Sequence, residues 1–439
     1  MTATIREILE FVRENDVKFI RLAFCDLLGK QKNISIMPDE LADAFENGVS
    51  FDACVIRGFS EITKSDLFLY PDPATLSVLP WRPQQGRVVR FYCDIKNPDG
   101  STFLSDTRSI LKSVIARYEQ KGYVCKVGTE CEFYLFKTDE NGEPTNIPFD
   151  NGGYLDIAPL DKGENVRREI CLCLEEMGLK PENSHHEQGP GQNEIDFKFS
   201  DALNCADNLL TFKTAIKTIA AGNGLFASFC PKPLPDKSGN GLHINLSLSQ
   251  NGYNVFKKET DRHAQIAESF IAGVLEKTAE ITAFLNPLPN SYDRFGAFEA
   301  PKYVSWSHQN RSQLIRIPAA SGEKMRMELR SPDPAINPYL AFALIISAGL
   351  DGIERNLPLP ASLDVDLYHT ERAITETLEC LPTTLKDALH KAENSEFIKN
   401  TIGVEVLEKF LNYKYKEAHD FRIAEDKQAF FMEHYFNLI

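Results

Sequence analysis

The chain has 439 residues, 43% of them apolar and 25% charged, with 48 basic against 63 acidic side chains and a formal charge of −15. That length accommodates two or three domains or one large one, and it buries a sizeable core without disulfide or metal staples. The composition excludes disordered and fibrous classes, and the acidic balance argues against nucleic acid or an anionic membrane surface as the main partner. An anionic small substrate stays open wherever arginines or metal ions gather.

In chain order, Ile5 to Arg13 reads as an amphipathic helix with Ile5, Ile8, Leu9 and Val12 on one stripe. VKFIRLAFCD and KQKNISI follow as β-like runs, and Pro38 to Glu46 as a second helix with proline at its start. Pro71-Asp72-Pro73 marks a loop; Pro80, Pro83 and Gly86 mark another; RVVRFYCDI is a strand, and Asn97-Pro98-Asp99-Gly100 a turn. Asp106 can cap a long helix running to about Gln120. Strands are then expected at VCKVGTECEFYLF, NEIDFKF, GLHINLSLS and MRMELRS, with SFCPKPL extended. Helices are expected at Asn165 to Met177, Ala202 to Ala221, His263 to Thr282 and Pro334 to Ile353. The opening MTATIREILEFVREN is too charged for a signal peptide, and the longest apolar stretch, Leu340 to Leu350, is too short to span a bilayer. Ten cysteines without a CxxC pair fit reduced thiols, hence a cytoplasmic location.

Chemistry concentrates on strand faces, where residues i and i+2 point the same way. Glu130 and Glu132 share a face, as do Glu194 and Asp196; His243, Asn245 and Ser247; and Arg326, Glu328 and Arg330. A solvated outer face alternates too, but it favours Lys, Thr and Gln, whereas four strands carrying Glu, His, Arg and Asp suggest a wet, charged cavity. Glu130, Glu132, Glu187, Glu194, His243 and Glu328 form a candidate nest for divalent metal. Oxygen donors with one imidazole suit Mg²⁺ or Mn²⁺ better than structural zinc. The alternative is surface acid in a chain rich in it. Arg294, Arg311, Arg316, Arg326 and Arg330 crowd one window; guanidinium groups clamp carboxylates and phosphates, and arginines with oxygen-bound metals suit phosphoryl transfer. Ordinary ion pairing explains the same window. Ser238-Gly239-Asn240-Gly241 fits either close backbone approach to a ligand or a plain hairpin turn. Walker A, GxSxG, HExxH and dinucleotide GxGxxG patterns are absent.

FDACVIRGF (51–59), GTECEFYLF (128–136), GGYLDIAPLD (152–161), SHHEQGPGQNEIDFKF (184–199), GNGLHINLSL, NSYDRF, FEAP, NRSQLIRIPA and MRMELRSPDPAINPYLAFA occur in order along nearly the whole chain. Together they resemble class I bacterial glutamine synthetases, closest to the Gram-positive type. The resemblance implies an α+β fold: an N-terminal β-grasp domain over 1–104 and a catalytic domain over 105–439, with a curved antiparallel sheet flanked by helices. It implies an ATP-dependent ligase that condenses L-glutamate with ammonia through γ-glutamyl phosphate, two or more Mg²⁺ or Mn²⁺ per site, and sites shared between subunits of a homo-oligomer, usually a dodecamer.

Carried over by position, Glu132, Glu187 and Glu194 would bind one metal and Glu130, His243 and Glu328 the other. Arg294, Arg330 and the Gly239 backbone would hold glutamate, and Arg311 the substrate carboxylate and moving phosphate. Glu182, Ser247, Arg316 and Arg326 fall at nucleotide positions. Asp52 from a neighbouring subunit, with Tyr154, Glu187 and Glu299, would form the ammonium site. Departures cluster at the amine end: Ala53-Cys54-Val55 replaces the usual Gly-Ser-Ser, the flap around Glu299 is short, and Ser238 stands where Asn is usual. They leave open a γ-glutamylamide synthetase using an organic amine, and, in another class, a non-catalytic scaffold.

Overall fold

The computed structural model describes residues 4–59, 61–82 and 85–439, so Pro83 lies outside the described residues. The first helix, Ile5–Glu14, is closed at its start by a capping box between Thr4 and Glu7. It buries Ile8 and Val12 against a sheet ordered Gln31–Ile36, Val17–Cys25, Arg87–Lys96, Asp66–Pro71, Val49–Asp52. The central pair, Val17–Cys25 with Arg87–Lys96, is parallel; the other neighbours in this order are antiparallel. The helix expected at Pro38 begins as a single tight turn, Pro38–Glu40, before Leu41–Asn47 continues it. The strands Val49–Asp52 and Asp66–Pro71 are four and six residues long, too short for their own residues to announce them.

The larger sheet has 11 strands, seven of them in the order Trp306–His308, Ile315–Ile317, Met327–Leu329, Leu242–Gln250, Tyr123–Thr138, Gln192–Phe197, Pro181–His186, and four more paired to Tyr123–Thr138 or Leu242–Gln250. It is mixed rather than wholly antiparallel, because Trp306–His308 runs parallel to Ile315–Ile317. Tyr123–Thr138 is the spine: Val127, Cys131 and Phe133 point into the core, with Ile195, Ile244 and Leu246 from its neighbours. The helices Thr107–Gln120, Ala202–Gly222, Asp261–Leu285 and Pro338–Glu354 pack on that apolar side. The last two cross closely enough that a Cβ on Gly273 would sit 2.2 Å from the Ala348 carbonyl oxygen, so only glycine permits the approach.

Helices also form at Leu385–Glu393, Glu396–Ile402 and Val404–Ile423, beyond the last expected element. Leu385, Leu389, Ile398, Val406, Leu407 and Phe410 bury themselves in the same core. All ten cysteines are free, seven of them buried. Among the described residues, no helix is long and apolar enough to cross a membrane.

Candidate active site

The polar face of the large sheet is read across strands. Register pairs Glu132 with Glu194 and Glu194 with His185; Glu130 pairs with Asp196 on one side and His243 on the other. Asn245 and Arg316 both pair with Glu328. Directly opposed residues on one face stand within side-chain reach, so these registers gather charge into adjoining rows.

The rows floor a cavity of about 510 Å³ whose lining includes Glu130, Glu132, Glu187, Glu194, His243 and all five predicted arginines. Glu328 is fully buried beneath it, hydrogen-bonded by both Arg316 and Arg330, with an oxygen 3.8 Å from His243 Nδ1. Glu130 accepts from Asn245 at 2.9 Å and lies 3.2 Å from His243 Nδ1. Glu132 accepts the Gly241 amide at 2.8 Å and the Gln192 side chain at 2.9 Å. Donor atoms of Glu130, His243 and Glu328 converge within 4.8 Å of one another, as do those of Glu132, Glu194 and His243, and of His185, Glu187 and Glu194.

Burial raises Glu132 far above the usual carboxylate range, and the charges of Glu194 and Glu187 add to it. Glu194 is also raised well above that range, by burial and then Asp196, while Asp196 itself is pushed up to about 7. Glu187 is raised mainly by burial. Burial also opposes charge on Glu130, but its hydrogen bond and ion pair with His243 prevail and hold it at about 2. Crowded, desolvated carboxylate oxygens with one imidazole are the donor set that hard divalent cations stabilise, so these residues fit Mg²⁺ or Mn²⁺. Raised carboxylates make the folded chain bind protons more tightly than the unfolded one. Their favourable share is therefore complete below about pH 4 and is lost as pH rises through the folded values, near 7 for Asp196. Added Mg²⁺ is accordingly expected to raise the melting temperature more at pH 8 than at pH 5, a comparison scanning calorimetry makes directly.

Beside the acids, Arg294 is buried, donates to the Ser331 carbonyl at 3.0 Å and lies 4.0 Å from Asp333. A Cβ on Gly239 would stand 2.6 Å from Arg294 Cγ and 2.4 Å from the Pro231 carbonyl, so the backbone there passes through space no side chain can share. Arg326 donates to Asn245 at 2.7 Å. Glu299 lies 3.8 Å from Arg311 and 3.7 Å from Arg330, at the rim and 43% exposed. Phe298 and Glu299 both hold positive φ, 49° and 61°, a conformation non-glycine residues adopt at a cost. Tyr154 lines the rim, its ring edge-on to His185. Ser238, in place of the usual Asn, donates to Gln192 and accepts the Tyr134 hydroxyl through its carbonyl, bracing the loop beside Glu132.

Four predicted residues do not line this cavity: Glu328, buried beneath it, and Glu182, Ser247 and Asp52, the last expected to serve a neighbouring copy's site. Glu182 is exposed on Pro181–His186, and Ser247 is half-buried one pleat beyond Asn245. Asp52 is exposed on the smaller sheet, its carboxylate accepting the Cys54 amide at 2.9 Å. Conversely, His185 and Gln192 join the site without having been singled out in the sequence, and Asp196 and Asn245, placed on its strand faces but given no role, join it too. Period-2 spacing from Glu194 and His243 signals Asp196 and Asn245; His185 and Gln192 arrive by register and loop folding.

A family model described as "Glutamine synthetase, catalytic domain" matches residues 104–432, and one described as "Glutamine synthetase, beta-Grasp domain" matches residues 16–98. Among curated relatives, glutamine synthetase of Clostridium saccharobutylicum is 46% identical over 424 residues, covering 95% of this chain and 96% of that protein. Glutamine synthetase of Staphylococcus aureus N315 is 42% identical over 442 residues, covering 99% of each. Among solved structures, the GmaS/ADP complex aligns with a TM-score of 0.87 at 32% identity, over 99% of this chain and 100% of that one. The cryo-EM structure of Plasmodium falciparum glutamine synthetase gives 0.85 at 25%, over 99% of each. With both family models matched in order and relatives alike over almost the full length, the chain belongs to the glutamine synthetase family and is an enzyme of the glutamate–ammonia ligase type.

Proposed function

We propose that this enzyme condenses L-glutamate with ammonia, driven by ATP, through a γ-glutamyl phosphate. The observation that carries the reading is a single cavity lined together by clustered carboxylates, imidazole and five arginines. The ADP in the GmaS complex supports a nucleotide as co-substrate. Glu132, Glu187 and Glu194 would hold one divalent cation, and Glu130, His243 and Glu328 another. Such cations, when bound, supply positive charge to phosphoryl oxygens.

Arg294, Arg330 and the Gly239 backbone orient glutamate so that its γ-carboxylate faces the terminal phosphorus of ATP. Arg316 and Arg326, with Ser247 and Glu182 at the outer end, hold the nucleotide. Arg311 takes charge from the phosphate as it moves, and attack of the carboxylate oxygen releases ADP. The acyl phosphate is destroyed by water, so the strained Phe298–Glu299 segment closes over it. Asp52 of a neighbouring copy, with Tyr154, Glu187 and Glu299, binds ammonium and takes a proton. Ammonia attacks the acyl carbon, phosphate leaves, and Glu299 accepts the second proton. Glu299→Ala is expected to slow amide formation by about a hundredfold while leaving the KM for ATP within about twofold. An unchanged synthetic rate removes Glu299 from the mechanism.

On this reading, units 1–104 and 105–439 are the two functional domains. The assembly is a ring in which Asp52 completes the next copy's site, with a dodecamer as the expected size. The Ala53-Cys54-Val55 segment, with Val55 76% exposed, favours one alternative acceptor, an organic amine in place of ammonia. ATP turnover with glutamate and Mg²⁺, plus either ammonium or a panel of alkylamines, decides the matter. Phosphate release with ammonium supports the main reading, release with amines alone supports the alternative, and none with either ends both.

A further inference from the structure

A second cavity, of about 390 Å³, lies between the N-terminal sheet and the Ala202–Gly222 helix, and shares no lining residue with the first. Six cations border it: Lys414, which is paired with Glu417, and five others, Lys30 and Lys32 from the segment after Val17–Cys25, Arg57 from the segment after Asp52, and Lys213 and Lys217 one helical turn apart. None of the five forms an ion pair among the described residues. Lys213 donates to the Pro334 carbonyl at 2.7 Å and Lys217 to the Leu438 carbonyl at 3.4 Å, and both ammonium groups stand over the Phe229 ring, at 5.5 and 5.9 Å from its centre. Of the acids present, Asp26 turns one oxygen to the Leu28 and Lys30 amides, and Glu417 is paired with Lys414 at 3.0 Å. His434 is the remaining titratable side chain of the lining besides Tyr435. Like charges one helical turn apart repel, and burial sharpens the penalty. Burial, then the charges of Lys213 and Lys30, pull the Lys217 ammonium down to about 7. Asp26 lies near Lys32 and Arg57, yet it and Glu417 are two carboxylates against six cations, so in a chain of net charge −15 this hole keeps a local excess of positive charge.

We propose that this cavity binds a small multivalent oxyanion, a phosphate or a polycarboxylate, which supplies the missing counter-charge. The occupant joins the Lys30–Lys32 segment and Arg57 to the Ala202–Gly222 helix bearing Lys213 and Lys217, and so stiffens the segment that follows Asp52. Any influence on rate rests on the role proposed for Asp52; the binding itself does not.

Crystals of the full assembly soaked in sodium tungstate locate the site: an anomalous peak is expected within hydrogen-bonding reach of Lys217 Nζ. In solution, inorganic phosphate and citrate are titrated separately while thermal unfolding is followed, and the probe acting at lower concentration identifies the class. Lys217→Met is expected to need at least about tenfold more of that probe for the same rise in midpoint, and to melt no lower than wild type without it. Lys30→Ala, on an exposed segment where folding is not at stake, reproduces the weakened response. Equal responses from wild type and both variants, or tungstate confined to the arginines of the first cavity, overturn the assignment.

Discussion

Glu328→Ala is expected to reduce synthetic turnover by roughly 10²–10³-fold, because one carboxylate serves three neighbours at once. It has no exposed surface, it accepts from Arg316 and Arg330, and it stands 3.8 Å from His243. Truncation leaves two guanidinium groups without their buried anion, at a cost of about 3–5 kcal/mol of stability. It also removes one oxygen donor from the cluster with Glu130 and His243. Glu328→Gln separates the two effects. Its amide keeps the volume and one acceptor oxygen, so denaturant unfolding is expected to shift less than in the alanine variant. Mn²⁺ binding by equilibrium dialysis and the rate are expected to fall nearly as far. A glutamine variant with wild-type turnover means that Glu328 is only a counter-ion for the arginines.

Arg108→Met is expected to give the largest loss of stability away from the cavity, about 3–5 kcal/mol. Arg108 is 3% exposed and reaches Asp72 at 2.8 Å, Asp94 at 2.7 Å and Asp207 at 3.0 Å. Burial opposes its charge, but Asp207 and the other acids outweigh burial and hold the guanidinium firmly protonated. Tyr339 donates to Asp207 at 2.6 Å, so one side chain ties the N-terminal residues Asp72 and Asp94 to two helices of the catalytic unit. Methionine fills a similar volume but leaves three carboxylates facing each other. Arg108→Lys keeps the charge without the planar fork, and is expected to fall between wild type and methionine. Denaturation midpoints and hydrogen exchange in Arg87–Lys96 measure the loss; a methionine variant as stable as wild type means that the pairing is incidental.

Much of the site is legible in the sequence because it lies on strands. Alternation alone places Glu130 with Glu132, Glu194 with Asp196, and Glu328 between two arginines, since the pleat sends every second side chain to one face. The helices capped by Asp106, Asp201, Thr260 and Asn337 are legible from periodicity for the same local reason. The short strands at 49–52 and 66–71 are not. Their form comes from pairing with each other and with Arg87–Lys96, not from their own composition. The helices between 385 and 423 carry readable apolar spacing, yet they lie past the last ordered motif that directs attention along the chain.

Sequence by itself determined which side chains share a face, the acidic character of the chain, and, through its ordered motifs, the family. Tertiary structure decided that Glu130 meets His243, that His185 and Gln192 enter the cavity, and that Glu182 and Ser247 are not part of its lining. It also decided that unpaired lysines from two separate units surround a second hole. The reason is physical: faces follow from backbone geometry within a few residues, whereas neighbours across a sheet follow from strand order and register. These are fixed only when the whole core packs.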